Sequence, residues 1–193
     1  MPSRRRGEEL EATILEAAWA EIRENGYQRL TVEGVAARAH TGKQVLYRRW
    51  PNRVRLTVAA IRHALGPLVP EVPDTGSLRG DYLAVLRAMA ARARHYTPEL
   101  LYGLLSEMPE FGGEVFATLP EVITPILRNA AARGEIPTAD LPERVAALPL
   151  NLIRYEGLRS PGAWQVLDEA AADRLFAEIL DQIFLPLVCR PDC

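Results

Sequence analysis

The chain has 193 residues, 48% hydrophobic and 25% charged, with a formal net charge of −2. That length can bury a sizeable core, and no apolar run reaches the roughly 18 residues that a membrane span requires. The charge is unevenly placed: residues 1–65 are net +5 and residues 66–193 are net −7. A basic segment attracts polyanions by releasing their condensed counterions, so this asymmetry points to nucleic acid. The N-terminus has no apolar stretch of the secretory type, and a cytoplasmic location is expected. Cys189 and Cys193 are the only cysteines. Without a histidine cluster, and in a reducing compartment, they predict neither a metal site nor a disulfide.

The elements follow in chain order. Arg4, Arg5 and Arg6 form a basic arm, which either reaches DNA or stays a disordered tail. Glu8–Asn25 is predicted to be an amphipathic helix, with Leu10, Ile14, Ala17, Ala18 and Ile22 on one stripe. Gly26 stops it. Thr31 is a predicted N-cap, because its hydroxyl can accept from a free N–H one turn later. Val32, Val35 and Ala36 mark the buried side of the helix it opens. His40, Thr41 and Gly42 break the pattern, with Gly42 the residue free to take unusual backbone angles. Lys43, Tyr47, Arg48, Arg49 and Arg53 then gather around Val45, Leu46 and Trp50. Two helices joined by a short glycine-containing turn make a helix-turn-helix, whose second helix enters the DNA major groove. Asn52 is expected to cap a further helix to about Leu65, with Pro51 just ahead of it.

Pro67–Gly76 reads as a linker. Ser77 caps a helix with Tyr82, Val85, Leu86 and Met89 inside. Thr97 and Pro98 open another, with Leu100, Leu104, Leu105 and Met108. Glu110–Arg133 is helical and is expected to bend at Pro120 and Pro125. Gly134 ends that helix. Another runs from about Pro142 to Arg159 with a bend near Pro149. The last starts at its cap, Asp168, and reaches about Val188, with Ala172, Leu175, Ile179, Ile183 and Leu187 on one face. No alternating strand pattern occurs, so the predicted fold is all-α with about nine helices.

No G-x-S-x-G, H-E-x-x-H or G-x-G-x-x-G motif is present. Ala37–Gln44 comes near a phosphate-binding loop. It lacks the first glycine and the final Ser/Thr, and it follows a helix instead of a strand. Neither catalysis nor a cofactor is expected.

Glu8–Leu65 resembles the DNA-binding domain of the tetracycline-repressor (TetR) family of bacterial regulators. The shared features are Gly26–Tyr27, Thr31–Val32, Ala36–Ala39, Leu46–Tyr47, Trp50 and Asn52, in order and spacing. The resemblance implies a DNA-binding domain over 1–65 and a ligand-binding and dimerisation domain over 66–193. DNA contacts are expected from Thr31, Lys43, Gln44, Val45, Tyr47, Arg48, Trp50 and Arg53. Lys43 and Tyr47 would meet phosphate, while Gln44, Val45 and Arg48 face base edges.

The turn departs from the family's usual Ala-Gly-Val-Ser-Lys and reads Ala39-His40-Thr41-Gly42-Lys43. A strained or reshaped turn is expected at His40, with Thr41 taking over the lost serine cap. Further on, Ala131–Glu135 is similar to the Ala-x-Arg-Gly-Glu of one subgroup. There the resemblance implies a cavity, here lined by Met89, Tyr96, Tyr102, Leu105, Phe116, Leu127, Asn151 and Tyr155; ordinary core is the other reading of each. It also implies a four-helix dimer interface carrying Leu167, Ala171, Leu175, Ile179 and Ile183. The implied function is a homodimeric repressor, released from double-stranded operator DNA by a small-molecule inducer. The alternative, raised by His40 and Gly42, is a ligand-binding or protein-interaction module with altered DNA recognition.

Overall fold

The computed structural model describes residues 2–111, 118–160, 162 and 166–189, and all regular structure among them is helical. Side chains of residues 2–6, 105, 108–111 and 118–120 are outside that description. The helices are α1 Pro2–Asn25, α2 Val32–Arg38, α3 Lys43–Arg49, α4 Arg53–Leu65, α5 Leu78–Ala93, α6 Pro98–Phe111, α7 Thr118–Ala132, α8 Glu143–Ala146, α9 Leu148–Arg159 and α10 Glu169–Glu178. A 3-10 turn, Tyr27–Arg29, follows α1, and a π-helical stretch, Ile179–Phe184, leads from α10 into α11, Leu185–Val188.

The chain forms two compact units. One is Met1–Pro67 with Tyr96–Val115; the other is Leu68–His95 with Phe116–Cys193. The expected division at residues 65 and 66 differs from this in one element. Helix α6 packs on the first unit, because its Leu100 and Leu104 are buried in the same core as Ile14, Tyr27, Leu46 and Leu56.

Five side chains cap helices as expected. Thr31, Asn52, Ser77, Thr97 and Asp168 accept from the N–H groups of Gly34, Arg55, Gly80, Leu100 and Ala171 at 2.7–3.1 Å. Each cap satisfies one of the donors that a helix leaves open at its start. The prolines act differently from expectation. Pro149 sits in the first turn of α9, where no N–H is needed, so the chain breaks at Ala147 and restarts. Pro120 likewise falls in the first turn of α7, and only Pro125 lies inside that helix.

The second unit is built on α5. Asp81 is fully buried in its first turn. Its carboxylate accepts from the Thr75 N–H at 2.6 Å, the Thr75 hydroxyl at 2.8 Å and an Arg133 Nη at 2.9 Å. Glu135 accepts from Arg133 Nε at 2.6 Å and from the Leu78 N–H at 2.7 Å. The turn between them closes through Gly134 at φ 80°, with Gly134 N–H donating to Ala131 C=O and Glu135 N–H to Ala130 C=O. That paired closure is the Schellman cap. It aims Arg133 and Glu135 of the Arg-Gly-Glu segment at the start of α5.

The C-terminal helix buries Phe176, Leu180, Phe184 and Val188, which are spaced by four. In an α-helix a four-residue spacing drifts about 40° per step, because a turn takes 3.6 residues. The wider π turns reverse that drift and keep the four residues on one face. Pro186 follows at once and lacks the N–H that would close another regular turn. Ile179 is 4% exposed and belongs to this unit's own core, which removes it from the expected interface.

Arg79 pairs with Asp181, Arg87 with Asp173 and Arg94 with Glu169, an ion-pair ladder between α5 and the C-terminal helix. The first two pairs are bidentate, at 2.6–2.8 Å. The guanidinium hydrogen bonds hold the Asp173 and Asp181 carboxyls below their ordinary 3.8. A depressed pKa stabilises the fold above the unfolded value, and this is lost as pH falls through the folded one. Near neutral pH, the double variant Asp173→Asn, Asp181→Asn should melt below wild type. The gap should close as pH falls through that acid range, and concentrated salt should narrow it. Thermal melts against pH check this.

Candidate nucleic-acid interface

The first unit's core holds α2 and α3 in place by burying Val32, Val35, Ala36, Ala39, Leu46 and Trp50. Thr31 caps α2, its hydroxyl oxygen accepting from the Gly34 N–H and its own O–H left to donate. The turn between the helices is a second Schellman closure. His40 N–H donates to Ala37 C=O at 3.1 Å, and Thr41 N–H to Ala36 C=O at 2.9 Å. His40 takes the left-handed conformation, φ 49°, and is the one non-glycine to do so among the described residues. Gly42, expected to supply the unusual angles, is extended at φ −84° and is the N-cap of α3. It has no side chain to accept, and Thr41 does not replace it. The turn is therefore closed in the ordinary way, at the cost of a left-handed histidine.

Helix α3 shows one face to solvent. Lys43, Gln44, Tyr47 and Arg48 are exposed, and Val45 is half-buried against the core. Trp50, expected at DNA, is 8% exposed and anchors the end of α3, its N–H donating to Leu46 C=O. The basic residues of this unit fall into two groups. Arg38 is clasped by Glu21 and Glu24 of α1, with contacts of 2.6–2.9 Å. Arg49 is clasped by Glu11 and also reaches the Gly7 carbonyl. Arg53, at the first position of α4, donates to both oxygens of Glu107 on α6, with its Nε at 3.0 Å. These three position helices. Lys43 keeps only a 3.7 Å contact with Glu33, and both are more than half exposed. Such a pair is worth little and yields readily to phosphate.

Helix α6 carries Glu99, Gly103 and Glu107 at four-residue spacing, one row along its surface. Glu99 accepts from the Gln28 N–H at 3.0 Å, beside Gly26 at φ 80°. Gly103 lies on the Tyr27 ring, where a Cβ would overlap it. Glu107 takes Arg53, whose guanidinium also stands over that ring, 5.0 Å from its centre. The Tyr27 hydroxyl is buried beside this pair without a well-formed hydrogen bond. Burial first, then the Glu107 carboxylate, push it up to about 12.

Comparison with known proteins agrees with this geometry. Residues 14–60 match the family described as "Bacterial regulatory proteins, tetR family", and residues 72–187 match "Tetracyclin repressor-like, C-terminal domain". The chain belongs to the TetR family. Uncharacterized HTH-type transcriptional regulators of Mycobacterium bovis and Mycobacterium tuberculosis are 30% identical over 187 residues, covering 93% of this chain and 88% of theirs. A DNA-binding transcriptional repressor TetR of Mycobacteroides abscessus is 36% identical over 103 residues; that match spans 53% of this chain and 54% of the repressor. Among solved structures, a TetR-family regulator of Mesorhizobium loti shares the fold with a TM-score of 0.61 at 18% identity, covering 96% of this chain and 99% of that one. A TetR-family regulator of Marinobacter aquaeolei gives 0.58 at 15% identity, covering 96% and 98%. The protein is thus a DNA-binding transcriptional regulator with an all-helical TetR fold. Among its described residues, no helix is long and apolar enough to cross a membrane.

The residues expected to line a cavity are divided between the two units. Tyr96 and Tyr102 lie on the first unit, and Tyr96 packs on its core. Met89 and Leu127 belong to the second unit's core. Asn151 and Tyr155 are on the exposed face of α9, where Asn151 accepts from Arg154 at 2.9 Å. Burial lowers the Arg154 guanidinium to about 10. The Leu105 side chain, Phe116 and the side chains of Arg4–Arg6 lie outside the described residues. Of the expected interface, Leu167 and Leu175 pack partly on the core, Ala171 is half-buried, and Ile183 is 42% exposed. Leu187, at 58%, and Val166 join Ile183 as exposed apolar residues.

The left-handed histidine gives a direct test of the turn. His40→Gly removes the Cβ strain and should raise stability by about 0.5–1 kcal/mol, the strain relief less the entropy of the added glycine. Gly134→Ala, at the equivalent site, should lower it by about 1 kcal/mol. Denaturant unfolding measures both. A loss of stability in His40→Gly would show that the imidazole makes a contact that outweighs its strain.

Proposed function

We propose that this protein is a homodimeric repressor that holds operator DNA and leaves it when a small molecule binds. The observation that carries this reading is the exposed row Lys43, Gln44, Tyr47 and Arg48 on a helix-turn-helix whose turn is properly closed. Family membership supports it, as does the name of the Mycobacteroides abscessus repressor. Lys43 and Tyr47 would bind phosphate, which fixes register without reading sequence. Gln44 and Arg48 lie four residues apart on one face, and their amide and guanidinium can pair with adenine and guanine edges. Val45 would add a methyl contact at the rim of the core. We assign no catalytic role and no cofactor to the chain, and its workplace would be the cytoplasm.

Dimerisation would use the exposed apolar residues of the C-terminal helix, Ile183 and Leu187, with Tyr155 of α9. The inducer would act through α6, the helix that holds both the start of α4 and the turn after α1. A ligand shifts DNA affinity only through unequal binding to two arrangements. Tyr102→Ala in α6 should then blunt release by inducer while leaving operator affinity near wild type.

Binding to the protein's own upstream DNA, followed by fluorescence anisotropy, tests the reading. Lys43→Ala should weaken binding to every sequence and flatten the salt dependence by about 0.9 in log–log slope. Arg48→Ala should also relax one base preference, by about 1–3 kcal/mol. Uniform loss on all sequences for both variants would contradict base reading by Arg48. For assembly, Ile183→Arg with Leu187→Arg should give a folded monomer by light scattering, because the new charges meet only the partner. Ile179→Arg should instead cost several kcal/mol of fold stability, because the charge enters the protomer's own core. A folded dimer from the first variant would remove this face from the interface.

A further inference from the structure

Helix α6 is acidic and the helices it docks on are basic. Residues 96–115 contain four glutamates and no lysine or arginine, so adding them to residues 1–67 brings the unit's net charge from +5 to +1. Two of those carboxylates are placed with purpose. Glu99 takes a backbone N–H of the turn after α1, and Glu107 takes both arms of Arg53. The hydrogen bonds to Glu107 raise the Arg53 guanidinium above its ordinary value, as a committed partner should. A carboxylate that meets a guanidinium through two oxygens presents the same chemistry as a phosphate.

We propose that Glu107 is a positioning residue that acts as an internal phosphate mimic, keeping Arg53 from the DNA backbone while α6 is docked. Arg53 stands at the first position of α4, directly after the recognition helix and its anchor Trp50. It is one of the basic side chains that the sequence alone would send to DNA. With Glu107 in place, its fork is occupied, its guanidinium is held over the Tyr27 ring, and it adds nothing to the counterions that DNA releases. The acidic helix therefore sets how many cations this unit offers to DNA. This inference rests on the DNA-binding reading and is distinguishable from it.

The test is the salt dependence of binding to a labelled random-sequence duplex, which needs no knowledge of the operator. Glu107→Gln should steepen the log–log slope by about 0.9 and tighten binding about fivefold near physiological salt, the effect of one added phosphate contact. Arg53→Ala alone should leave the wild-type slope unchanged, and Arg53→Ala with Glu107→Gln should return to it. Arg53→Lys keeps the charge but loses the fork. It should steepen the slope as Glu107→Gln does, so the proposal remains testable if the change in α6 impairs folding. A merely structural role for Glu107 would lower the melting temperature and leave the slope alone, which would overturn the proposal. So would a flattened slope in Arg53→Ala, because Arg53 would then already be on phosphate in the wild-type complex. If wild type binds no duplex even at low salt, the DNA-binding reading itself fails.

Discussion

Everything about the DNA-facing unit depends on how α6 is seated. The helix is recruited from the middle of the chain, past α5, and it closes the core that α1 to α4 leave open. Apolar burial supplies most of the holding energy: Leu100 and Leu104 are each worth about 1.5–3 kcal/mol when removed from water. The Arg53–Glu107 pair and the guanidinium over Tyr27 add less, each about 1 kcal/mol or below in such partly exposed settings. The leucines hold α6 in place; the carboxylates fix its register along α4 and the 3-10 turn. Gly103 permits the approach, because any side chain there would strike the Tyr27 ring.

That seating sorts the basic residues of the unit. Arg38, Arg49 and Arg53 are tied to carboxylates on α1 and α6 and serve to fasten helices together. Lys43 and Arg48 remain on the solvent face of α3, beside Gln44 and Tyr47. A count of arginines would credit the whole segment with DNA affinity. The pairing shows that much of the charge is spent on architecture, which leaves a small set of groups to do the reading. In the second unit the same device recurs between α5 and the C-terminal helix. Arg133 there joins Asp74, Asp81 and Glu135 at the foot of α5.

Much of this was legible in the sequence, and the parts that were not have physical reasons. Helix starts were readable because a cap is a local event: Thr31, Asn52, Ser77, Thr97 and Asp168 each act within three residues. The helix-turn-helix was readable from Val32, Val35, Ala36 and Leu46. The fates of Trp50 and Arg53 were not, because exposure on a helix depends on what packs over it. For Arg53 that element is α6, 54 residues away in Glu107. The row Glu99, Gly103, Glu107 beside Leu100 and Leu104 was a usable sign that α6 covers something basic. Ile179 was misplaced because a 3.6-residue period was assumed through a stretch that winds more widely. The turn at His40 looked doubtful from composition, yet its closure is made by backbone groups that any residue supplies.

Native-state hydrogen exchange tests the central claim, that α6 is a structural part of the DNA-facing unit, most directly. The amides of Leu104 and its neighbours on α6 should open with the same free energy and denaturant dependence as those of Leu56 and Ala60 on α4, since one cooperative core protects both. Exchange of α6 in step with α5 and α7, or well before α4, would contradict it.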